Sequence, residues 1–110
     1  MLQYTLYFLN YIRSHHNNIS LSLFRALYGV HLYTAIILWV HAYSIDNEIF
    51  PLHILYFLHW IKTYNVENIG ANHWHCDIKT YRKYLYKVIL ALFISLDYVC
   101  SIIIIFCYYN

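Results

Sequence analysis

Charged residues are scarce in this sequence. Seven Lys or Arg and five Asp or Glu make up 11% of the 110 residues, whereas soluble domains average about 25%. Hydrophobic residues reach 62%, and the mean hydropathy is +0.46. So little charge does not cover the surface of a water-facing globule of this length, and a soluble enzyme is not expected.

Glycine and proline are also rare, with two residues and one residue. This excludes collagen-like and linker-like chains, which need many of both. Intrinsic disorder is excluded as well, because it requires low hydrophobicity and a high net charge, and the net charge here is only +2. The sequence therefore predicts a small all-α membrane protein that forms a single membrane-embedded unit over residues 1–110.

Three uncharged or nearly uncharged stretches predict membrane helices. Residues 26–45 contain no charged side chain and as a helix would cover about 30 Å, the thickness of the bilayer core. Residues 88–107 are equally long, and Asp97 is their only charged residue. Residues 49–61 are uncharged but would reach only about 20 Å, which on length alone favours a re-entrant or interfacial helix.

The positions of the basic residues favour a spanning role for 49–61. If this segment spans, all seven Lys and Arg residues lie on one side of the bilayer, as expected for the inside. Asp46 and Glu48 then lie outside, in the turn between the first two spans. The sequence thus predicts a multi-pass protein with three membrane helices and its N-terminus inside. Residues 1–25 are expected to form an N-terminal interfacial segment and residues 62–87 a basic inside loop.

Histidine is unusually frequent, and four of the eight histidines fall inside the first two predicted spans. In an antiparallel hairpin His31 and His59 come to a similar depth near the inside, and His41 and His53 lie nearer the outside. Facing histidines at one depth can ligate haem or relay protons, but at about 100° per residue the two histidines of each helix point in different directions. Neutral histidines that hydrogen-bond between helices are therefore expected. A haem or redox hairpin is an alternative, and no cofactor is predicted.

Asp97 is the only acidic residue within a predicted span. An ionised carboxylate is costly in lipid, so Asp97 is expected to be protonated or to pair with a histidine or another subunit. The 13 Val, Ile, Leu and Phe residues of 88–107 favour insertion by about 4–8 kcal/mol, which exceeds the cost of about 2.5–3.5 kcal/mol for one Asp.

The segment 73–77 brings three potential metal ligands close together: His73, His75 and Cys76. Imidazole and thiolate suit zinc or copper. Their spacing matches no zinc finger or ribbon, and a His-x-His pair shares a face in an extended chain but not in a helix. The segment is therefore interpreted as a polar loop near the membrane surface, and no metal is predicted.

Four basic residues precede the third span at helical spacing and form a cationic stripe: Lys79, Arg82, Lys83 and Lys87. On a helix they lie within an arc of about 140°. Each can contribute about 1 kcal/mol of attraction to anionic lipid headgroups, although their simpler role is to set the membrane topology. Nucleic-acid binding is not expected from so few charges.

The sequence indicates no enzymatic chemistry. It contains no Gly-rich phosphate loop, no Gly-x-Ser-x-Gly turn and no Cys-x-x-Cys pair, so no catalytic residue is predicted. The first functional hypothesis is a small integral membrane protein to which the sequence assigns no biochemical activity. It would act as an accessory or interaction subunit that lies in the bilayer and packs against another membrane protein or a second copy of itself.

A second hypothesis is that the chain has no evolved function. Ile, Leu, Tyr, Asn, Phe and His make up 67 of the 110 residues, whereas Gly, Ala, Pro and Arg total 11. The first group is encoded largely by A- and T-rich codons, so translation of an AT-rich reading frame would give this composition. Apparent membrane helices would then arise without selection.

Overall fold

The computed structural model describes residues 2–16, 19–64 and 66–109, with side chains described for 2–14, 19–64 and 66–96. These residues contain no β-strand, so the all-α prediction is confirmed. The described part of the chain forms six helices: α1 Leu2–His16, α2 Leu21–Tyr28, α3 Leu32–Ile45, α4 Pro51–Thr63, α5 Glu67–His73 and α6 Ile78–Tyr109.

The first predicted span, 26–45, is not one continuous helix. Helix α2 ends at Gly29, whose φ of 77° is the left-handed conformation that glycine adopts most easily. Helix α3 then begins after His31, whose side chain accepts a hydrogen bond from the backbone N–H of Tyr33, as an N-cap does. The two helices are bent by 59° at this break. Local capping chemistry therefore divides a stretch whose lack of charge predicts a single helix.

Helix α4 is largely buried. Pro51 is its first residue, a position at which proline is tolerated because the first helical turn needs no N–H donor there. The helix packs against α2, α3 and α6, and more than half of its residues are buried: Pro51, His53, Ile54, Leu55, Tyr56, Leu58 and His59. The segment 49–61 thus supplies much of the core, and Ile49 in the preceding link is also fully buried.

Helices α4 and α6 run antiparallel. Tyr56 contacts Tyr81 with ring centroids 5.2 Å apart, and His53 stacks on Tyr84. One step further along, Glu48 in the α3–α4 link pairs with Lys87. As the residue number falls along α4, the number of its partner on α6 rises.

This pairing differs from the arrangement that the predicted three-span topology requires. That topology places Glu48 outside and Lys87 inside, on opposite faces of a bilayer whose core is about 30 Å thick. In the structure Lys87 forms ion pairs with both Glu48 and Asp46. The reason is that α6 begins ten residues before position 88 and packs along α4, so the α3–α4 link and the start of 88–107 lie at the same level.

The two flanking segments also contain helices that pack in the fold. Within 1–25, helix α1 contributes the buried side chains of Phe8 and Ile12 to the main core. Within 62–87 lie helix α5 and the first ten residues of α6. Much of the segment expected to be an inside loop is therefore helical.

Among the residues that the structure describes, no single helix is both long enough and apolar enough to cross a bilayer. Helices α2 and α3 meet that criterion only when they are taken together across their bend. Part of the third predicted span, from position 97 onward, lies outside the side chains described.

Candidate functional site

Helix α6 has apolar side chains on two opposite sides where it leaves the bundle. Val88, Ala91 and Leu92 are buried in the main core. The opposite side carries exposed apolar residues that lie within an arc of about 100°: Tyr86, Leu90, Phe93 and Ile94. We call these four residues the exposed α6 face. Phe93, at 71% exposure, is the most accessible of them.

The cationic stripe directly precedes this face, but two of its members are paired with acids. Arg82 pairs with Glu67 at the start of α5, and Lys87 pairs with Glu48 and Asp46. Within the described residues Lys79 and Lys83 form no ion pair, and both are exposed. The stripe thus has two exposed lysines without an acidic partner, of which Lys83 lies over the ring of Tyr84 at 5.3 Å from its centroid. The other two cations fix α6 against the rest of the fold.

Glu67 holds two residues of the first turns of α6. The hydroxyl of Tyr86 donates to Glu67 Oε1 at 2.6 Å, and Arg82 pairs with Oε2. These two hydrogen bonds lower the pKa of the Glu67 carboxyl, because both stabilise its ionised form. The sequence analysis did not single out Glu67. Its partners Arg82 and Tyr86 lie 15 and 19 residues away along the chain, so no local sequence pattern indicates these contacts.

The four histidines of the first two predicted spans do not form a common site. His31 caps the start of α3 and is exposed, whereas His41 is half-buried. His53 and His59 are both buried on α4. In the described part of the chain no ring contact or hydrogen bond joins any two of these four residues.

His53 instead fixes the start of α4. Its Nδ1 accepts a hydrogen bond from the Phe50 backbone N–H at 3.0 Å, and its ring stacks on Tyr84 with centroids 3.8 Å apart. Burial lowers the pKa of His53 from 6.5 to about 4, and the nearby positive charge of Lys87 adds to the effect. His53 is therefore neutral at physiological pH and acts as a structural cap.

His59 belongs to a buried aromatic cluster that sequence reasoning did not predict. Its ring stacks on His73 with centroids 4.0 Å apart and meets Trp74 edge to face, and Tyr56 lies between Trp74 and Tyr81. Burial lowers the pKa of His59, and the charge of a protonated His73 would lower it further.

Three buried polar atoms in this cluster have no hydrogen-bond partner within the described residues: His59 Nδ1, Trp74 Nε1 and Tyr81 Oη. Unsatisfied groups of this kind carry a desolvation cost of about 1–3 kcal/mol each. The contact between Tyr81 and α5 is possible only because position 70 is glycine: a Cβ there would lie 2.5 Å from Tyr81 Oη.

The potential metal ligands of segment 73–77 point in different directions. His73 stacks on His59, and His75, with a φ of 54°, is exposed. Cys76 is half-buried beside Tyr56. In the described residues no three His, Cys, Asp or Glu side chains are grouped so as to hold a metal ion. The side chain of Asp97 lies outside the described residues.

An aromatic cavity of about 300 Å³ opens between α1, α3 and the α3–α4 link. It is lined by Gln3, Tyr4, Tyr7, Trp39, Tyr43 and Phe50. Sequence reasoning missed this cavity because its walls come from segments more than 30 residues apart. The only local signals were the spacings i, i+3 on α1 and i, i+4 on α3, which place each pair of rings on one face.

Comparison of the chain with protein-family models, with curated proteins and with solved structures finds no match in any of the three. Functional inference therefore depends on the geometry described above. The feature with the clearest chemical consequence is the exposed α6 face together with the two unpaired lysines that precede it.

Proposed function

We propose that this chain is a small integral membrane protein anchored by the C-terminal half of α6, acting as an accessory subunit rather than as an enzyme. The observation that carries the proposal is the exposed α6 face. A row of large apolar side chains on a helix with no covering element is typical of a lipid or protein contact. Phe93 and Leu90 are 71% and 61% exposed, although α6 also buries apolar residues on its other side.

The composition of residues 88–107, which include most of this face, supports membrane insertion. Thirteen of the 20 residues 88–107 are Val, Ile, Leu or Phe, and a helix of this length covers about 30 Å. Lys79 and Lys83 precede the segment and lie where the positive-inside rule expects basic residues, which favours an inside location for the rest of the fold. In this arrangement residues 88–107 are the span, and the part of the bundle that packs against Val88, Ala91 and Leu92 lies at the depth of the first turns of the span.

The ion pair between Lys87 and Glu48 is the reason for proposing one span rather than three. It is compatible with an arrangement in which the α3–α4 link lies at the membrane surface beside the start of the span. Helices α3 and α4 then use their apolar side chains for the core of the bundle. A partner membrane protein would bind the remaining exposed apolar side chains, of which α2 contributes Leu21, Leu23 and Leu27.

The proposal is tested by alkaline extraction of membranes that contain the full-length chain. We expect the native chain to stay in the membrane pellet. Replacing Phe93 and Ile94 by Asp places two acids on the lipid-facing side of the span, each costing up to about 2.5–3.5 kcal/mol. This variant should move largely to the supernatant or be degraded.

A matched control separates loss of the anchor from a general loss of hydrophobicity. Tyr64 and Val66 are also large and exposed, but they lie in the link between α4 and α5. The variant Tyr64→Asp, Val66→Asp should therefore remain resistant to extraction. Equal extraction of both variants, or extraction of the native chain itself, would contradict the proposed anchor.

Tagging the chain at its native locus tests the alternative of a reading frame without evolved function. A selected membrane protein should accumulate to a level that immunoblotting detects. The absence of protein across growth conditions would favour the alternative, because an unselected apolar chain is removed by cellular proteases.

A further inference from the structure

The aromatic cavity has walls that meet at steep angles. The ring of Tyr4 is inclined by 68° to Trp39 and by 56° to Tyr43, and Trp39 and Tyr43 are inclined by 44°. The corresponding centroids are 5.4–5.9 Å apart. Tyr7 lies nearly parallel to Trp39, with planes inclined by 18° and centroids 5.6 Å apart, so this pair is in direct contact and leaves no room for a flat ligand between its rings. The inclined rings form adjoining walls of a box.

The walls are mainly aromatic, and the polar groups of the lining residues, besides the Trp39 indole, are the hydroxyls of Tyr4, Tyr7 and Tyr43 and the amide of Gln3. The indole N–H of Trp39 already donates to the Ile49 carbonyl at 2.9 Å, so Trp39 contributes only its ring. Of the six lining residues, Gln3 alone carries an amide, and none carries a formal charge. A volume of about 300 Å³ lies at the lower end of the range for small-ligand pockets, roughly 300–1,000 Å³.

Formal charge is concentrated in the α3–α4 link beside this cavity. Asp46 and Glu48 lie between the two lining residues Tyr43 and Phe50 in the chain. Both acids pair with the same cation, Lys87. The link together with Lys87 has a net charge of −1, a sign that favours a cationic over an anionic ligand nearby.

We propose that the aromatic cavity binds a quaternary ammonium group, such as the trimethylammonium group of choline. A cation of this kind is held by the negative faces of surrounding aromatic rings and needs no hydrogen-bond acceptor. The angled rings of Tyr4, Trp39 and Tyr43 supply those faces, and the charge of the link supplies the electrostatic complement. This inference does not depend on the membrane anchor, because the cavity involves α1 and α3 and not α6.

The test compares choline with its neutral carbon analogue, 3,3-dimethyl-1-butanol, by equilibrium dialysis against the full chain in a mild detergent. The two molecules have nearly the same shape and differ in charge. We expect saturable binding of choline and at least fivefold weaker binding of the analogue, because only the cation is attracted by the ring faces. Equal binding of the two would overturn the proposal and indicate a simple apolar pocket.

Variants of one wall locate the binding site. Tyr4→Phe keeps the aromatic face and should bind choline like the native chain, whereas Tyr4→Leu should bind it about fivefold more weakly. The matched control is Tyr33→Leu, since Tyr33 is an exposed tyrosine outside the cavity. Equal affinities of the two leucine variants for choline would show that choline does not bind in the aromatic cavity and would overturn the proposal. If Tyr4→Leu fails to fold, the comparison of choline with its neutral analogue on the native chain still tests whether the protein prefers the cation.

Two further arms distinguish the source of the quaternary ammonium group. The native chain and Tyr4→Leu are incorporated from a mixture of lipids into nanodiscs, and the bound phosphatidylcholine and phosphatidylethanolamine are counted. Enrichment of phosphatidylcholine that is lost in Tyr4→Leu identifies a lipid headgroup. Binding of free choline without lipid enrichment identifies a soluble ligand. The absence of saturable binding in both arms would overturn the proposal.

Discussion

The imidazole ring of His53 lies parallel to the phenol ring of Tyr84, with centroids 3.8 Å apart and planes inclined by 3°. This contact joins the first turn of α4 to α6, and the same imidazole caps α4 through Nδ1. The cap requires an unprotonated Nδ1, because only the unprotonated nitrogen accepts the Phe50 N–H. Protonation of this buried ring removes the cap at the point where α4 meets α6, so the start of α4 is sensitive to acid.

We expect the fold to lose stability as the pH falls from 6.5 to about 4. His53 binds a proton with a pKa of about 4 in the folded state and about 6.5 when unfolded, so the unfolded state takes up more protons in this interval. Its contribution is fully present above pH 6.5 and decreases by up to about 3 kcal/mol as the pH approaches 4. Urea unfolding in a mild detergent at several pH values measures this slope.

His53→Asn should flatten the slope, because the Asn side-chain oxygen can accept the Phe50 N–H in place of Nδ1 but does not titrate. His31→Asn is the matched control: His31 caps α3 in the same way but is exposed. An unchanged slope in His53→Asn would show that another group causes the acid sensitivity.

Removal of one hydroxyl should raise the pKa of Glu67. Its carboxyl is stabilised in the ionised form first by the hydrogen bond from Tyr86 and then by Arg82. In Tyr86→Phe the first of these is lost, so the pKa should move upward toward its ordinary value. Carboxyl chemical shifts followed by NMR during a pH titration measure the change, and Tyr33→Phe should leave it unaffected. A fixed pKa in Tyr86→Phe would mean that the hydroxyl does not bind Glu67 in solution.

Gly70→Ala should destabilise the protein although alanine is the better helix former. Helix propensity alone favours alanine by about 0.5–1 kcal/mol at such a position. The new Cβ would, however, lie 2.5 Å from Tyr81 Oη, and Tyr81 is fully buried and has little room to move. Overpacking of this kind costs about 1–3 kcal/mol, so the midpoint of unfolding should fall.

Asn72→Ala is the control for this substitution. It lies on the same helix but is exposed, so only propensity acts, and a small gain in stability is expected. A gain in Gly70→Ala as well would show that α5 does not pack closely on Tyr81.

Cysteines placed at Glu48 and Lys87 should be joined efficiently by a short bifunctional maleimide in native membranes. The two side chains form an ion pair, whereas the topology with three spans would separate them by about 30 Å. The experiment uses a chain whose native cysteines are replaced by serine, and a shift in electrophoretic mobility reports the link.

The pair Glu48→Cys and Tyr64→Cys serves as the control, because these positions lie at opposite ends of α4, about 20 Å apart along the helix. It should not be joined by the same reagent. Failure of the first pair, with equal labelling of both cysteines, would favour the three-span arrangement.

Several local features could be predicted from the sequence. Pro51 marks the start of α4, and Asp46 ends α3, where its carboxylate accepts the Glu48 N–H. Both follow from chemistry within a few residues, so the turn between α3 and α4 lies where the sequence places it. The break at Gly29 was missed because a glycine in an uncharged stretch is compatible with a continuous helix, and histidine is an uncommon N-cap.

The candidate sites were harder to predict. His59 and His73 lie 14 residues apart, in segments that the sequence assigns to a span and to a loop, yet their rings stack. The aromatic cavity combines Tyr4 with Trp39 and Tyr43 from another helix. The spacing of aromatic residues within one helix does not indicate which rings of a second helix they will contact.

The sequence by itself determined the helical class and the limits of α4, because composition and capping act within a few residues. It also determined that apolar side chains exceed what a small core can bury. Only the tertiary structure decided which of them are covered. Because α6 begins early enough to pack along α4, Lys87 reaches Glu48, most of α4 is buried, and the exposed α6 face is left uncovered among the described residues.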